Sequence, residues 1–305
     1  REAGGAAALR ALSRDADVLL ENVRPGVMSR RGLSADSLLA ANPRLIYCAI
    51  SGFGTVGPYA ARPSYDTVIS AVSGMYSLLM PIQTPAPVGP AMSDLLSGLY
   101  AAQAVLAALH HRSASGRGQI IDVTMLGSVL GFLGEAVTST AETGTLIEPN
   151  TRQRRAQAYA AIAADGKAFV VHLSVPDKFW QALCTAMQRP DWLADPRLAT
   201  RQDRYDNYAV LDALIREQAR RRSREEWFDR FLEQDLPHAP LNTLLDLATD
   251  EQVVAMGLLE SVPMPDGPAM TGAATPARFS ASPTTPAGPA PLLGADNALV
   301  EQEYA

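Results

Sequence analysis

Three glycines with the spacing G-x-G-x-x-G follow the apolar run "RLIYCAI", and they are Gly52, Gly54 and Gly57. In a dinucleotide-binding fold such glycines open a helix whose free backbone amides hold a pyrophosphate. Here the chain continues through Pro58 and Pro63, and the second proline disfavours helical angles at the residue before it. The acidic residue expected about twenty positions further on is also missing. We therefore interpret the glycines as a loop at the end of a strand and exclude a nicotinamide or flavin site.

A carboxylate at the start of a long predicted helix is the second group that could do chemistry. Asp94 lies near the beginning of the segment 93–118, with Gly116 past the predicted end. A helix N-terminus favours an anion through its dipole and free amides, which suits a carboxylate nucleophile. The same position suits an ordinary N-cap, filled by Ser93 or Asp94, and spacing alone favours that role. The apolar residues of the segment repeat at helical spacing: Leu95, Leu99, Ala102, Leu106 and Leu109.

Metal and disulfide chemistry find no support in the sequence. Cys48 and Cys184 are far apart and lack C-x-x-C spacing, so neither a disulfide framework nor a zinc site is indicated. The four histidines show no H-x-x-x-H or H-E-x-x-H spacing. We expect no metal, and we expect a reducing cytoplasm as the location.

Length, composition and charge exclude several classes of protein. The 305 residues suit two domains, and 47% hydrophobic with 19% charged residues is an ordinary globular balance. A net charge of −6 argues against nucleic-acid binding. No stretch approaches about eighteen uninterrupted apolar residues, so a membrane span is not expected.

Short apolar strands alternate with helices in the first half of the chain, which predicts a doubly wound α/β domain. Strands are predicted at 16–22, 44–50 and from 119, where the chain passes into another helix by 127. A helix is predicted at 34–42 with Ser34 as its N-cap. The first 22 residues indicate a helix and strand already inside a domain, so we expect the start of the domain to be missing.

The second half predicts a smaller α+β domain. A strand is predicted at 167–174 and helices at 176–187 and 223–234. The last helix opens on a capping box of Ser223 and Glu226. Its apolar stripe is predicted to face a core: Trp227, Phe228, Phe231 and Leu232.

The domain boundaries follow from shifts in composition. Eight prolines fall between Val262 and Pro291, which predicts an extended connection rather than a helix. The predicted division is a large domain over 1–141, a linker over 142–157, a small domain over 158–261, and a proline-rich connector with a return to the large domain over 262–305.

Four blocks, read in order, resemble one known family over nearly the whole chain. They are "ADVLLENVRPGVMSRRGL", "NPRLIYCAISGFGTVGPYAARPSYDTV", "SDLLSGLYAAQAVLAALHHRSASGRGQIIDVTM" and "PARFSASPTTPAGPAPLLG". The family is the class III CoA-transferases, together with the related 2-methylacyl-CoA racemases. The resemblance implies a Rossmann-like large domain, a smaller domain and an interlocked homodimer. Family members usually begin with a further strand-and-helix unit, and we expect that unit to be missing from this sequence.

The resemblance also implies roles for particular residues. Asp94 stands where the family's nucleophile attacks an acyl-CoA, giving a mixed anhydride and then an aspartyl-CoA thioester that passes CoA to an incoming acid. CoA is then part of the substrate, and no cofactor is permanently bound. The positions that match the family's acyl-CoA site are Asn22, Val23, Arg30, Arg31, Tyr65, Asp66 and Met125, with Arg24 as a further nearby cation.

Tyr65 and Asp66 bear on which branch of the family the chain resembles. Racemases of the family carry a His-Asp pair there, because racemisation needs a base and an acid on opposite faces of the α-carbon. Tyrosine, with a pKa of about 10, is a poor base at neutral pH, which favours transfer. Two alternatives stay open: a racemase or epimerase of a 2-substituted acyl-CoA, and an inactive acyl-CoA-binding remnant.

Overall fold

A computed structural model describes residues 4–264, 267–284, 288–289 and 291–304. The chain divides into two compact units. The first runs to Pro149 and includes the stretch that begins at Gly294, and the second is Asn150–Leu293. Both units mix helices and strands, which confirms the predicted α/β class.

The first unit is built on a parallel sheet of three strands that lie side by side in chain order: β1 (Val18–Glu21), β2 (Ile46–Ser51) and β3 (Ile120–Thr124). Buried Ile46, Tyr47 and Cys48 make the central strand the core of the sheet. The predicted strands and the Ser34 cap are confirmed, since the Ser34 hydroxyl accepts the Ser37 amide at 3.3 Å. The elements are α1 (Gly5–Asp15), β1 (Val18–Glu21), α2 (Val27–Arg30), α3 (Ala35–Ala41), β2 (Ile46–Ser51), α4 (Asp66–Val72), α5 (Met75–Leu79), α6 (Met92–Ser115), β3 (Ile120–Thr124), α7 (Met125–Phe132), α8 (Gly134–Thr143) and α16 (Asn297–Tyr304).

The long helix α6 turns its small residues, rather than its leucines, toward the sheet. Its buried residues are Ser93, Ser97, Ala101 and Ala108. Leu99 and Leu106 of the predicted apolar repeat are 68% and 67% exposed. The periodicity correctly predicts the helix and its end at Gly116, in the left-handed conformation. The periodicity does not identify the buried face of α6. Small side chains allow a helix to pack close to a sheet, so the face with small residues is buried here instead of the leucine face.

The same helix is long and apolar enough to cross a membrane, judged by length and composition alone. That is weak evidence, because apolar helices of other kinds pass the same test. Only 22% of its apolar stretch is buried, so an apolar surface of the first unit stays uncovered.

The second unit holds an antiparallel sheet of three strands that lie side by side in chain order, and a separate antiparallel pair of strands. The elements are α9 (Thr151–Ala156), β4 (Ala158–Ile162), β5 (Ala168–His172), α10 (Pro176–Ala186), α11 (Asp191–Ala194), α12 (Arg201–Asp206), α13 (Tyr208–Ala219), α14 (Arg224–Glu233), β6 (His238–Pro240), a short 3-10 helix (Asp246–Ala248), α15 (Glu251–Met256), β7 (Leu259–Met264) and β8 (Gly267–Ala273).

Helix α14 begins where the sequence predicts. The capping box of Ser223 and Glu226 is confirmed by hydrogen bonds in both directions. Trp227 and Phe231 are buried in the core of the unit. Leu232 is 75% exposed, so its assignment to the core stripe is wrong. It lies one position beyond Phe231, and the helical turn carries it off the buried face.

Two predicted connecting segments contain regular structure. Residues 151–156 form α9, within the segment 142–157 predicted as a linker. Residues 262–264 and 267–273 belong to the pair of strands β7 and β8, where the sequence predicts an extended connector. A two-stranded pair has two open edges, where prolines lacking an N–H are tolerated. Residues 265–266, 285–287 and 290 of that predicted connector lie outside the described residues.

Candidate active site

A cavity of about 540 Å³ opens in the first unit at the carboxyl ends of the three parallel strands. Loops after parallel strands converge at this edge, which is the usual place for a ligand in an open α/β sheet. The loop after β1, the end of β2, the first turns of α6 and the start of α7 all contribute to the wall. The cavity brings together seven of the residues singled out in the sequence: Asn22, Val23, Arg24, Gly52, Tyr65, Asp94 and Met125.

Asp94 lies in the first turn of α6 with its side chain exposed at the cavity wall. The N-cap residue is Ala91, and no side chain of α6 caps this end. The interpretation of Ser93 or Asp94 as the cap is therefore wrong. Within the part of the chain that the structure describes, no hydrogen bond or ion pair engages the Asp94 carboxylate, and only its backbone carbonyl accepts a bond, from Ser97 at 2.9 Å.

The first turn of α6 is held instead by a carboxylate from α4. Asp66 Oδ1 accepts hydrogen bonds from the Ser93 backbone amide and the Ser93 hydroxyl, both at 2.8 Å. Asp66 thus caps α6 from outside and does not line the cavity. This contact brings a second negative charge near the nucleophile candidate.

The pKa of Asp94 is raised above its ordinary value. Partial removal from water in the cavity wall is the larger cause, and Coulombic repulsion by Asp66 is the second. Both effects act against the stabilisation of the anion that the helix N-terminus was expected to provide. The carboxylate is therefore a stronger base than an ordinary Asp, which also makes it a better nucleophile once ionised.

The glycine-rich loop is shaped by close packing and by its backbone angles. A Cβ at Gly52 would lie 2.0 Å from the Ser64 hydroxyl oxygen, so only glycine fits beside that side chain. Gly54 and Gly57 have φ of 88° and 89°, in the left-handed region that glycine adopts without strain. The interpretation as a loop at the end of β2 is confirmed, since no helix begins at these glycines.

Arg30 and Arg31 lie outside the lining of the cavity, and both are exposed. Arg30 ends α2, and its guanidinium lies over the backbone of Gly26, where a Cβ would be 2.9 Å from Nη1. The two arginines therefore flank the loop after β1, which contributes Asn22 and Val23 to the cavity.

The structure adds cavity residues that sequence reasoning missed. Arg62 and Ser64 come from the loop before α4, where no periodic pattern marks a functional position. Ser97 follows Asp94 by three residues, a spacing that places both on one helix face and could have indicated it. No group of three or more potential metal ligands occurs in the described ranges.

The family model described as CoA-transferase family III matches residues 1–297. The chain is 34% identical over 274 residues to the acetyl-CoA:oxalate CoA-transferase of Acetobacter aceti, covering 88% of this chain and 70% of that protein. It is 31% identical over 307 residues to the succinate–glutarate CoA-transferase of Agrobacterium fabrum, covering 98% and 75%.

A solved structure of a CaiB/BaiF family protein from Brucella suis matches with a TM-score of 0.86 at 31% identity. The match covers 100% of this chain and 80% of that one. The sequence relatives and the structural neighbour thus indicate the same family as the family model. The chain belongs to CoA-transferase family III, and it is a transferase.

Proposed function

We propose that this transferase moves CoA from an acyl-CoA thioester to a free carboxylic acid, with Asp94 as its nucleophile. The observation that supports this most is the Asp94 carboxylate at the wall of the cavity, which no hydrogen bond or ion pair engages among the described residues. A capping carboxylate would be held on a backbone amide, whereas this one is free to attack.

The first half of the reaction loads CoA onto the enzyme. An Asp94 carboxylate oxygen attacks the thioester carbonyl, the C–S bond breaks, and CoA leaves as a thiolate. The thiolate then attacks the Asp94 carbonyl of the mixed anhydride and releases the donor acid as a carboxylate. Asp94 now carries CoA as a thioester, and no oxidant or external proton donor is needed.

The second half repeats the same chemistry with the acceptor. The acceptor carboxylate attacks the Asp94 thioester, and the CoA thiolate leaves again. Its attack on the acceptor carbonyl of the new anhydride gives the product thioester and restores ionised Asp94. CoA enters and leaves as part of the substrates, so the cycle needs no resident cofactor.

The acids are small carboxylic acids, dicarboxylic acids among them. The two relatives described above carry oxalate, succinate and glutarate in their names, and all three are dicarboxylic acids. A cavity of about 540 Å³ suits such acids, since binding sites for small molecules commonly measure about 300–1,000 Å³.

For CoA itself we propose the loop after β1. Asn22 and Val23 line the cavity, while Arg30 and Arg31 lie beyond it, where the nucleotide phosphates of CoA would extend. Met125 packs against the core beside the cavity and would bound the acyl end, with the exposed Tyr65 on another side.

Arg30→Ala is expected to raise the KM for acyl-CoA several-fold and to leave kcat nearly unchanged. A phosphate contact made equally in the ground state and the transition state affects binding alone. Steady-state kinetics with varied acyl-CoA measure the effect, and Arg30→Lys, which keeps the charge, is the control expected to restore most of it. An unchanged KM in a folded Arg30→Ala protein would make Arg30 an ordinary surface residue.

The racemase alternative lacks a second carboxylate among the described residues that line the cavity. Asp66, the acid of the Tyr65-Asp66 pair, is occupied by both Ser93 hydrogen bonds. Among the described residues that line the cavity, Asp94 is the sole carboxylate. We therefore favour transfer, and we expect no exchange of the α-hydrogen of a 2-substituted acyl-CoA with D₂O.

Asp66→Asn is expected to shift the acidic limb of the pH–rate profile to lower pH. Repulsion by Asp66 helps to raise the pKa of Asp94, so removing that charge lowers it. Because only ionised Asp94 attacks, activity then persists to lower pH. Ser93→Ala is the matched control, since it removes one bond to Asp66 but keeps the charge. A limb that does not move in Asp66→Asn, or moves equally in the control, would contradict the proposed coupling.

We also propose that the chain forms an interlocked homodimer in the cytoplasm. Leu95, Leu99 and Leu106 of α6 are 61%, 68% and 67% exposed, and their helical spacing places them on one face of the helix. The family resemblance implies that a second copy of this chain covers the exposed leucines of α6. Both cysteines are free, in keeping with a reducing compartment.

Mass spectrometry of the intact protein with a panel of acyl-CoA thioesters tests the transferase proposal. A productive donor should leave a thioester at Asp94, which adds the mass of CoA less one water to the protein. Addition of a second acid should discharge it as a new thioester. A folded protein that forms no adduct with any donor and transfers no CoA would support the inactive remnant instead.

A further inference from the structure

Arg62 is a cation at the cavity wall, and no carboxylate of the described residues forms an ion pair with it. Its guanidinium carbon lies 3.7 Å from the centroid of the Tyr59 ring. The Tyr59 ring packs edge-on against Phe53 with centroids 5.4 Å apart, so the stack is itself supported. In the part of the chain that the structure describes, no ion pair or hydrogen bond is formed by the Arg62 side chain, which leaves its five N–H donors free for a ligand.

Arg62 and Asp94 line the same cavity without forming a pair. In the described part of the chain, neither an ion pair nor a hydrogen bond joins the two side chains. The cavity of about 540 Å³ therefore presents a carboxylate and a guanidinium to the same ligand.

We propose that Arg62 receives the distal carboxylate of a dicarboxylic acid whose other carboxylate reacts at Asp94. The inference rests on the proposed transfer reaction and assigns the residue that selects the acid. A planar guanidinium matches a carboxylate through two parallel hydrogen bonds. Stacking on the Tyr59 ring holds the Arg62 guanidinium in place before the acid binds, and this reduces the conformational entropy lost on binding.

A contact with a CoA phosphate is the competing role for a free arginine here. The cations proposed for CoA lie on the loop after β1 and on α2, whereas Arg62 lies in the loop before α4. Arg24 also lines the cavity, but from the β1 side. The two arginines therefore predict opposite kinetic signatures and serve as controls for each other.

The test compares Arg62→Gln with wild type, using acetyl-CoA as donor and matched acceptors. Glutarate and pentanoate have the same chain length, and a methyl group replaces one carboxylate. Wild type should prefer glutarate or a shorter dicarboxylate over its monocarboxylate partner. Arg62→Gln should lower kcat/KM for the dicarboxylate about 10- to 100-fold, the range expected for a lost charge-assisted bond. The monocarboxylate rate and the KM for acetyl-CoA should stay within about twofold.

Arg24→Gln should give the reverse pattern, with a raised KM for acetyl-CoA and unchanged selectivity between acids. Equal losses for both acids in Arg62→Gln, a raised KM for acetyl-CoA, or a wild type without preference would overturn the proposal. Binding of the dicarboxylate by calorimetry, in an Asp94→Asn background with and without Arg62→Gln, gives a readout without turnover. Loss of binding only with Arg62→Gln supports the assignment even if the proposed transfer fails, and equal binding refutes it.

Discussion

Asp94→Asn is expected to abolish CoA transfer while the protein stays folded and still binds acyl-CoA. The amide keeps the shape of the side chain but cannot form the anhydride or the enzyme thioester. We expect turnover below about one-thousandth of the wild-type rate, as for the loss of other covalent nucleophiles. Wild type treated with acyl-CoA and then hydroxylamine should carry a hydroxamate at Asp94 and at no other carboxylate.

The stability of Asp94→Asn distinguishes a role of Asp94 as nucleophile from a role as helix cap. The pKa of Asp94 is raised in the fold, so its ionised form costs stability, and this cost appears as pH rises through that pKa. Asp94→Asn should be at least as stable as wild type at pH 7, and the difference should vanish below a pH of about 4. Urea unfolding at both pH values measures this.

Ser34→Ala is the matched control, because Ser34 is an actual N-cap and its loss should cost about 1 kcal/mol. Turnover near the wild-type rate in Asp94→Asn, or a hydroxamate on another residue, would end the proposed mechanism. A stability loss as large as that of Ser34→Ala would return Asp94 to a capping role.

Leu99→Asp combined with Leu106→Asp is expected to prevent assembly of a folded dimer. Both side chains lie on the exposed face of α6, and burying a leucine is worth about 1.5–3 kcal/mol. Two charges in a dimer interface would remove that gain and add the cost of desolvating carboxylates. Sedimentation and thermal unfolding of the purified protein measure the effect.

A monomer makes the opposite prediction, because exposed substitutions usually change stability by less than about 0.5 kcal/mol. Leu232→Asp is the control, since Leu232 is equally exposed but lies on α14 in the second unit. We expect it to leave assembly unchanged. A stable folded monomer, of wild type at low concentration or of the α6 variant, would contradict the interlocked dimer.

Local signals in the sequence predict local structure well. The caps at Ser34 and Ser223, the left-handed Gly116 and the strand ending before Gly52 all depend on a few neighbouring residues. The buried face of α6 depends on what packs against it. A stripe of leucines shows that one face of α6 is apolar. The face that packs against the sheet is nevertheless the one with small side chains.

The residues of the candidate site also fall into two groups: those that the sequence predicts and those that only the fold reveals. Asp94 was assigned from its place in a family motif, and its cavity neighbours from the loop after β1 followed with it. The capping of α6 by Asp66 requires two helices, 27 residues apart in sequence, to meet in space. Arg62 sits in a loop without periodicity, and only the fold shows that it shares a cavity with Asp94.

The contact between Gly52 and Ser64 limits how such an enzyme can diversify. Any side chain larger than hydrogen at position 52 would collide with Ser64, so we expect substitutions of Gly52 to be poorly tolerated. Arg62, two positions before Ser64, is exposed and meets no such limit. On the proposed role of Arg62, a new acid preference can arise by substitution at position 62 while Gly52 and Asp94 stay as they are.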